Sequence, residues 1–321
     1  MDMRRHERLG LLFAAACALD AALVPAVAKL TTARADPLFV AAVSNCFAGL
    51  TAAVLLAARG ELGMVVQPRL VGRLVAIAAL ATVAAHLLLY FGASRTSAIV
   101  TTLCLQIEPV YSLLLAWIVL AHRPTPLRVL ATGILIAGIV LAVGAAGLET
   151  TWGVWLLLAA PLCWQISHLV VLRTLIGVPP IVLTSARYLY GGALLLLLWL
   201  IVGDRASAPG AAALPRLLPL LALQGCVLGY AGTLLWYSAI TRIDLARATA
   251  IVVPSVPLLS FGASFLLLGE VASARQWVGL ALTAAGVLGF VVAPAQPASR
   301  ASTRHSDTAP SETLADDTLA G

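Results

Sequence analysis

Residues 97–120 read SAIVTTLCLQIEPVYSLLLAWIVL, an apolar stretch interrupted near its middle by Glu108 and Pro109. At a rise of about 1.5 Å per residue, a helix of this length crosses the roughly 30 Å hydrocarbon core of a lipid bilayer. A carboxyl group at that depth is costly unless it faces a cavity or a partner, and proline bends a helix by removing a backbone donor. The stretch therefore predicts a kinked membrane-spanning helix that carries a functional acid.

A second copy of this pattern follows about 148 positions later, where residues 246–268 read ARATAIVVPSVPLLSFGASFLLL. Pro257 stands where Pro109 stands, whereas Val256 stands where Glu108 stands. Gly138 and Gly286 match at the same offset. The chain therefore contains a tandem repeat whose first copy alone carries the acid.

The composition indicates a polytopic membrane protein, because 61% of the residues are hydrophobic and only 11% are charged. No segment is polar and long enough for a catalytic domain, and no GxxxxGK[ST] phosphate loop is present. The cysteines are scattered through apolar stretches without a CxxC pair, so neither a disulfide framework nor a metal site is expected. We expect no enzyme, no cofactor and no nucleic-acid partner, since the basic residues cluster at helix ends.

The hydropathy pattern predicts about ten spans, at residues 9–28, 37–58, 74–92, 97–120, 126–145, 155–172, 181–202, 217–240, 246–268 and 277–292. Five spans per copy is an odd number, so the second copy enters the membrane from the opposite side. The predicted organisation is a first repeat at 1–147, a second repeat at 148–294 and a disordered tail at 295–321.

The arginines and the single lysine test this count. With a cytoplasmic N-terminus, roughly thirteen basic residues lie inside and roughly six lie outside. The predicted location is the plasma membrane, of the bacterial inner-membrane type, with both termini cytoplasmic.

Each copy contains an apolar hairpin, a small residue, a proline about eleven positions on, and a closing helix rich in glycine and alanine. The first copy reads YFGASRTSAIVTTLCLQIEPVYSLLLAWIVLAHR and then VLATGILIAGIVLAV. The second reads WYSAITRIDLARATAIVVPSVPLLSFGASFLLLGE and then WVGLALTAAGVLGFV. This pattern resembles the EamA-type transporters of the drug/metabolite transporter superfamily. The resemblance implies ten helices in two inverted repeats, alternating access and transport of a small metabolite. The family's Gly-Glu pair survives as Gly269-Glu270, whereas the first copy has Ala121-His122.

Glu108 is the leading candidate for a group that exchanges a proton or contacts substrate. Thr101, Leu105 and Ser112 have helical spacing from Glu108 and are expected on the same face. Asp20 is the other acid deep inside a span. A neutral carboxyl that only packs the helices is the alternative for Glu108, and a cap or kink beside Pro25 is the alternative for Asp20.

Further polar candidates occur in four spans. They are His86 and Tyr90 in the third, Trp164, Gln165 and His168 in the sixth, Arg187 in the seventh, and Gln224 and Tyr237 in the eighth. An interhelical hydrogen-bond network or a structural tether is the alternative to a binding role for each of them.

The leading hypothesis places these residues in a cavity between the first, third, fourth, sixth, eighth and ninth spans. The cavity would serve a secondary transporter for a small metabolite or drug-like compound, with Glu108 as the coupling group. An intramembrane transferase and an uncoupled channel or scaffold are the alternatives. Small residues along the fifth and tenth spans fit either packing within a copy or a homodimer contact.

Overall fold

The computed structural model describes residues 2–120, 124–144, 148–204, 208–210, 212–243 and 245–293. In this part of the chain nine helices are long and apolar enough to cross a membrane, and the apolar segment Pro254–Leu268 belongs to a tenth helix. The predicted fold class, an all-helical multi-span membrane protein, is confirmed. The predictions about His122 and the tail at 295–321 lie outside the described residues.

The ten spans have the following bounds. The first five are Asp2–Thr32, Pro37–Ala58, Pro68–Ala78 continued by Ala79–Ala84 and Ala85–Arg95, Ala98–Leu105 followed by Glu108–Leu120, and Pro126–Val143. The second five are Leu148–Thr174, Pro180–Val202, Leu214–Ala222 continued by Leu223–Ala231 and Gly232–Ile240, Leu245–Leu268, and Ala274–Val292. A short helix, Leu62–Val65, precedes the third span. The first, third and sixth spans extend several residues beyond the predicted limits.

Several spans begin at side chains that satisfy the free N–H groups of a helix start. Asp36 accepts hydrogen bonds from two amides of the second span, with Pro37 at the first helical position. Ser273 and Gln276 form a capping box at the start of the tenth span. These local signals set where the chain re-enters the apolar region.

The fifth and tenth spans pack in antiparallel orientation, and their contacts obey a two-fold symmetry. A β-carbon on Gly138 would lie 2.6 Å from the backbone nitrogen of Thr283, and one on Gly286 would lie 2.6 Å from that of Leu135. The two contacts interchange when each residue is replaced by its counterpart in the other copy. Antiparallel packing of equivalent helices requires a two-fold axis in the membrane plane, so the halves are inverted relative to each other.

The second and seventh spans show the same symmetry. Gly49 packs on the backbone of Tyr188, and Gly192 packs on the backbone of Asn45. The third and eighth spans, also equivalent, each contain a π-helical segment, at Ala79–Ala84 and Leu223–Ala231. The inversion therefore extends to local helix geometry, which the sequence analysis did not predict.

The six remaining spans form two groups. The first, eighth and ninth spans pack together, and the third, fourth and sixth pack together in the equivalent arrangement. We call these groups the 1/8/9 bundle and the 3/4/6 bundle. The second span packs on the eighth and the seventh packs on the third. Each bundle therefore combines helices from both halves of the sequence.

A two-residue turn divides the fourth span, whereas the sequence predicted one kinked helix. One helix ends at Leu105 and the next begins at Glu108, with Pro109 at a position where a missing N–H is tolerated. In the first of the two helices, the hydroxyl of Thr101 pairs with that of Thr96 at 3.0 Å. Glu108 therefore sits in the first turn of a helix.

Candidate functional site

A cavity of about 370 Å³ lies among seven of the spans. It is lined by Cys17, Asp20, Ala21, Val24, Ser44, Asn45, His86, Leu89, Tyr90, Glu108, Trp164, His168, Arg187, Tyr188, Gln224, Gly225, Leu228, Gly229, Gly232, Thr233, Trp236 and Tyr237. Both halves contribute, and many lining side chains are polar although the spans are apolar. A concave chamber with a few convergent polar groups is the usual form of a small-molecule site.

The cavity lies near mid-depth of the helices. Near one end of the first span, Glu7 forms an ion pair with Arg247 at 2.6 Å, and near the other end the ammonium of Lys29 donates to the carbonyl of Ser94 at 3.1 Å. Asp20 is about 20 Å along the helix from Glu7 and about 14 Å from Lys29, at about 1.5 Å per residue. We call the two ends of the molecule the Glu7 face and the Glu270 face, since Glu270 lies beside the span that follows Ser94.

The two acids in the cavity have different environments. The carboxylate of Glu108 accepts a hydrogen bond from Nε2 of Gln165 at 2.7 Å. The carboxyl of Asp20 packs against Gly232, and a β-carbon at Gly232 would collide with it. Within the described part of the chain, Asp20 has no hydrogen-bond partner. One acid is therefore held by a neighbour, and the other has no such neighbour among the described residues.

Arg187 supplies positive charge to the same chamber. One guanidinium nitrogen donates to the carbonyl of Ala81 at 3.3 Å, and the indole of Trp164 donates to the same carbonyl at 3.1 Å. Nε of Arg187 has no partner among the described residues, and neither acid of the cavity forms an ion pair with it. An arginine at this depth needs acceptors, and among the described residues the Ala81 carbonyl is the one that its hydrogen bonds reach.

An aromatic cluster forms one wall beside Arg187. The ring of His86 stacks on that of Tyr188 with centroids 6.3 Å apart, and Tyr90 lies 5.8 Å from His86. The guanidinium of Arg187 lies 5.9 Å from the ring centre of Tyr188, within the range of a cation–π contact. The wall therefore offers flat apolar surface next to a positive charge.

The cavity is closed toward the Glu270 face and extends toward the Glu7 face. On the closed side Thr31 donates to Gln224 at 2.9 Å, and the hydroxyls of Ser44 and Tyr90 lie 3.5 Å apart. On the other side the lining continues along the eighth span to Tyr237, close to the end of that span at Ile240. The chamber is therefore asymmetric in depth within a symmetric fold.

The structure brings nearly all the sequence candidates together. Asp20, His86, Tyr90, Glu108, Trp164, His168, Arg187, Gln224 and Tyr237 line the cavity. Gln165 does not line the cavity and instead donates a hydrogen bond to the carboxylate of Glu108.

The predicted walls need one correction. None of the described residues of the ninth span lines the cavity, because this span packs behind the first, where Ala248 and Val252 join the cluster around Ala14. The second and seventh spans take its place.

Ser44, Asn45 and Tyr188 also line the cavity, although they are not among the candidates predicted from the sequence. Polar groups in otherwise apolar spans are the signal that marks the first two. Tyr188 gave no such signal, and only the packed structure shows its ring on the cavity wall beside His86.

Comparison with known proteins agrees with this arrangement. The EamA-like transporter family model matches residues 8–144 and 151–292, one match in each half. The chain belongs to the EamA-like transporter family. This is a family of transporters and not of enzymes, so the predicted absence of enzymatic function is confirmed.

Two known proteins are similar to this chain. A protein of Streptantibioticus cattleyicolor, described as a probable terminal-alkyne amino-acid exporter, is 30% identical over 207 residues, which is 63% of this chain and 67% of the relative. A solved crystal structure aligns with a TM-score of 0.64 at 19% identity, over 88% of this chain and 97% of its own. The second similarity shows that the fold is shared.

Proposed function

We propose that this EamA-family protein is a secondary transporter that moves a small amino-acid-like zwitterion by alternating access. The proposal is carried by one observation: the mid-depth cavity contains the carboxyls of Asp20 and Glu108 together with the unpaired edge of Arg187. The cavity volume of about 370 Å³ suits a ligand of this size. The description of the Streptantibioticus relative as an amino-acid exporter supports the same class.

The charges suggest how such a ligand lies. Its carboxylate pairs with Arg187, whose planar guanidinium binds carboxylates in a fixed geometry. Its ammonium pairs with Asp20, which has no other partner among the described residues. Its side chain packs on the rings of Tyr188 and His86. Amines and acids that lack one of the two charges leave a buried group unpaired and bind more weakly.

Glu108 is the proposed coupling group. Gln165 holds one carboxylate oxygen, Oε1, and the other has no partner in the described part of the chain. A carboxyl in this position exchanges a proton with the cavity when the chamber is open. When the chamber closes, the neutral carboxyl is buried at a smaller free-energy cost than the charged carboxylate. Asp20 and His168 are the second candidates for the proton.

Flux into proteoliposomes tests both proposals. Proteoliposomes that contain the purified protein and are loaded with one amino acid should exchange it for an external labelled amino acid. A pH dye inside the liposomes should report proton movement during net transport. Glu108→Gln should preserve exchange but reduce proton-coupled net flux at least tenfold. Glu61→Gln removes an acid outside the membrane spans and should leave both readouts unchanged. Unaltered coupled flux in Glu108→Gln would remove this residue from the mechanism.

Substrate class has its own test. Arg187→Gln should raise the KM for amino acids much more than that for the corresponding amines, whereas Arg216→Gln, an exposed change near the start of the eighth span, should alter neither. Equal loss for both ligand classes would contradict a carboxylate contact. Ion conductance in a planar bilayer without exchange would favour a channel.

We propose repeats at 1–147 and 148–294, with the Glu7 face and both termini in the cytoplasm of a bacterial inner membrane. Tags at the two termini should be protected from a protease added outside intact cells. Mass measurement in detergent will show whether the small-residue faces also form a homodimer.

A further inference from the structure

Among the described residues, the 1/8/9 and 3/4/6 bundles pack on each other at one end only. The first span packs on Ala85–Arg95 and on Ala98–Leu105, and the ninth span packs on Ala98–Leu105. All of these contacts lie toward the Glu270 face. The inverted two-fold predicts equivalent contacts at the Glu7 face, between the sixth span and the eighth and ninth, yet no comparable packing is found there in the described part of the chain.

At the closed end, Glu270 joins the ninth span to the start of the fourth. Its carboxylate accepts hydrogen bonds from the backbone amides of Ala98 at 3.0 Å and Ile99 at 3.2 Å. The next amide, Val100, is satisfied by the side chain of Ser97 within the same bundle. Two of the first three free N–H groups of this helix therefore depend on an acceptor from the other bundle, and the charge of that acceptor complements the helix dipole.

The direction of Glu270 is fixed by the residue before it. Gly269 has a φ of 67°, a left-handed conformation that glycine adopts without strain. Its amide donates to Phe265 at 2.9 Å, and that of Glu270 donates to Ser264 at 3.3 Å. This C-terminal cap ends the ninth span and turns Glu270 over the fourth.

Lys29 makes a second link of the same kind. It lies in the last turn of the first span and donates to the carbonyl of Ser94 at the end of the third. In both links a charged side chain of the 1/8/9 bundle binds backbone groups of the 3/4/6 bundle. Because the partners in the 3/4/6 bundle are backbone groups, the links are removed by replacing the side chain of Lys29 or Glu270.

In the described part of the chain, no side chain at the Glu7 face makes a matching link between the two bundles. The position equivalent to Glu270 is His122, which cannot present two negatively charged oxygens to a helix start. The ion pair at the Glu7 face, between Glu7 and Arg247, joins the first and ninth spans within one bundle. The two ends of the transporter are therefore not energetically equivalent.

We propose that Glu270, assisted by Lys29, is a positioning residue for transport that latches the Glu270 face shut. The latch biases the resting protein toward the state in which the cavity opens to the Glu7 face. Each transport cycle must break it, because alternating access requires the bundles to separate at this end and to close at the other. The inference rests on the alternating access proposed above, but its test uses no substrate.

Two readouts on the full chain in lipid nanodiscs and proteoliposomes test the latch. Glu270→Gln should speed hydrogen exchange of the Ala98 and Ile99 amides at least tenfold. It should also raise several-fold the alkylation of Cys17, a native thiol on the cavity wall, by an impermeant maleimide applied from the Glu270 face. Cys17 is identified by peptide mass mapping. Lys29→Met should shift the alkylation in the same direction by a smaller factor, which keeps the test open should Glu270→Gln fold poorly.

Ser273→Ala is the matched control, because it removes a helix cap in the same loop that lies entirely within one half. It should change neither readout. Faster exchange of Ala98 and Ile99 in Glu270→Gln without faster alkylation of Cys17 would reduce Glu270 to a local cap and overturn the latch. Unchanged exchange would refute the contact itself. A latch that responds as expected in a protein that moves no amino acid would contradict the proposed substrate and leave the latch standing.

Discussion

The fourth and ninth spans are equivalent helices of an inverted repeat, yet they differ in shape and in use. The fourth is broken at residues 106–107 and presents Glu108 to the cavity, where Gln165 holds it. The ninth is continuous despite Pro254 and Pro257, and its Val256 packs in an apolar cluster with the first and eighth spans. The comparison shows that the repeat supplies a symmetric frame, while the chemistry belongs to one copy.

The largest effect is expected from placing the missing acid in the second copy. Val256→Glu should destabilise the folded protein by about 3 kcal/mol, because a carboxyl at this depth has no described partner and no cavity beside it. Thermal unfolding in detergent measures the change, with Val256→Leu as the size control. If Val256→Glu left the protein as stable as the original chain, the two helices would be interchangeable after all.

A smaller and symmetric loss is expected where the halves are truly equivalent. Gly138→Leu and Gly286→Leu should each destabilise by about 1–3 kcal/mol, because both force apart the fifth and tenth spans. Gly133→Ala is the control, since its β-carbon meets nothing within 4 Å. Denaturation midpoints that differ widely between the two leucine variants would contradict the two-fold contact.

Removing the neighbour of Glu108 sharpens the comparison at the site. Gln165→Leu deletes a hydrogen bond to a carboxylate, worth about 1.5–3 kcal/mol, and should change the pH dependence of flux more than protein stability. Liposome flux measured across a pH series, with unfolding in parallel, separates the two effects. An unaltered pH profile would show that Gln165 does not tune Glu108.

The smallest effect is expected at Pro109. Pro109→Ala should alter stability by less than about 1 kcal/mol, because the second position of a helix tolerates proline and alanine alike. Pro257→Ala lies inside a continuous helix and should change stability more. The same unfolding assay measures both stability changes. A larger change for Pro109→Ala than for Pro257→Ala would contradict a break in the fourth span and a continuous ninth span.

The candidate site was largely accessible from the sequence because buried polar residues are rare in apolar spans. Asp20, Glu108 and Arg187 stand out for that reason, and all three line the cavity. Tyr188 and Gly232 give no such signal, since their importance comes from what lies opposite them. The break in the fourth span also escaped prediction, because a proline after an acid fits a bend and a new helix start equally well.

The sequence by itself determined the membrane class, the ten spans, the repeat and the odd number of helices that inverts it, because hydropathy and periodicity act locally along the chain. Only the tertiary structure decided which walls enclose the cavity and which end is closed. Those properties depend on contacts between residues far apart in sequence, such as Glu270 with Ala98 and Arg187 with Ala81. A local sequence pattern cannot encode them. Two symmetric copies allow either end of the cavity to be closed, and the packing between distant residues decides which end it is.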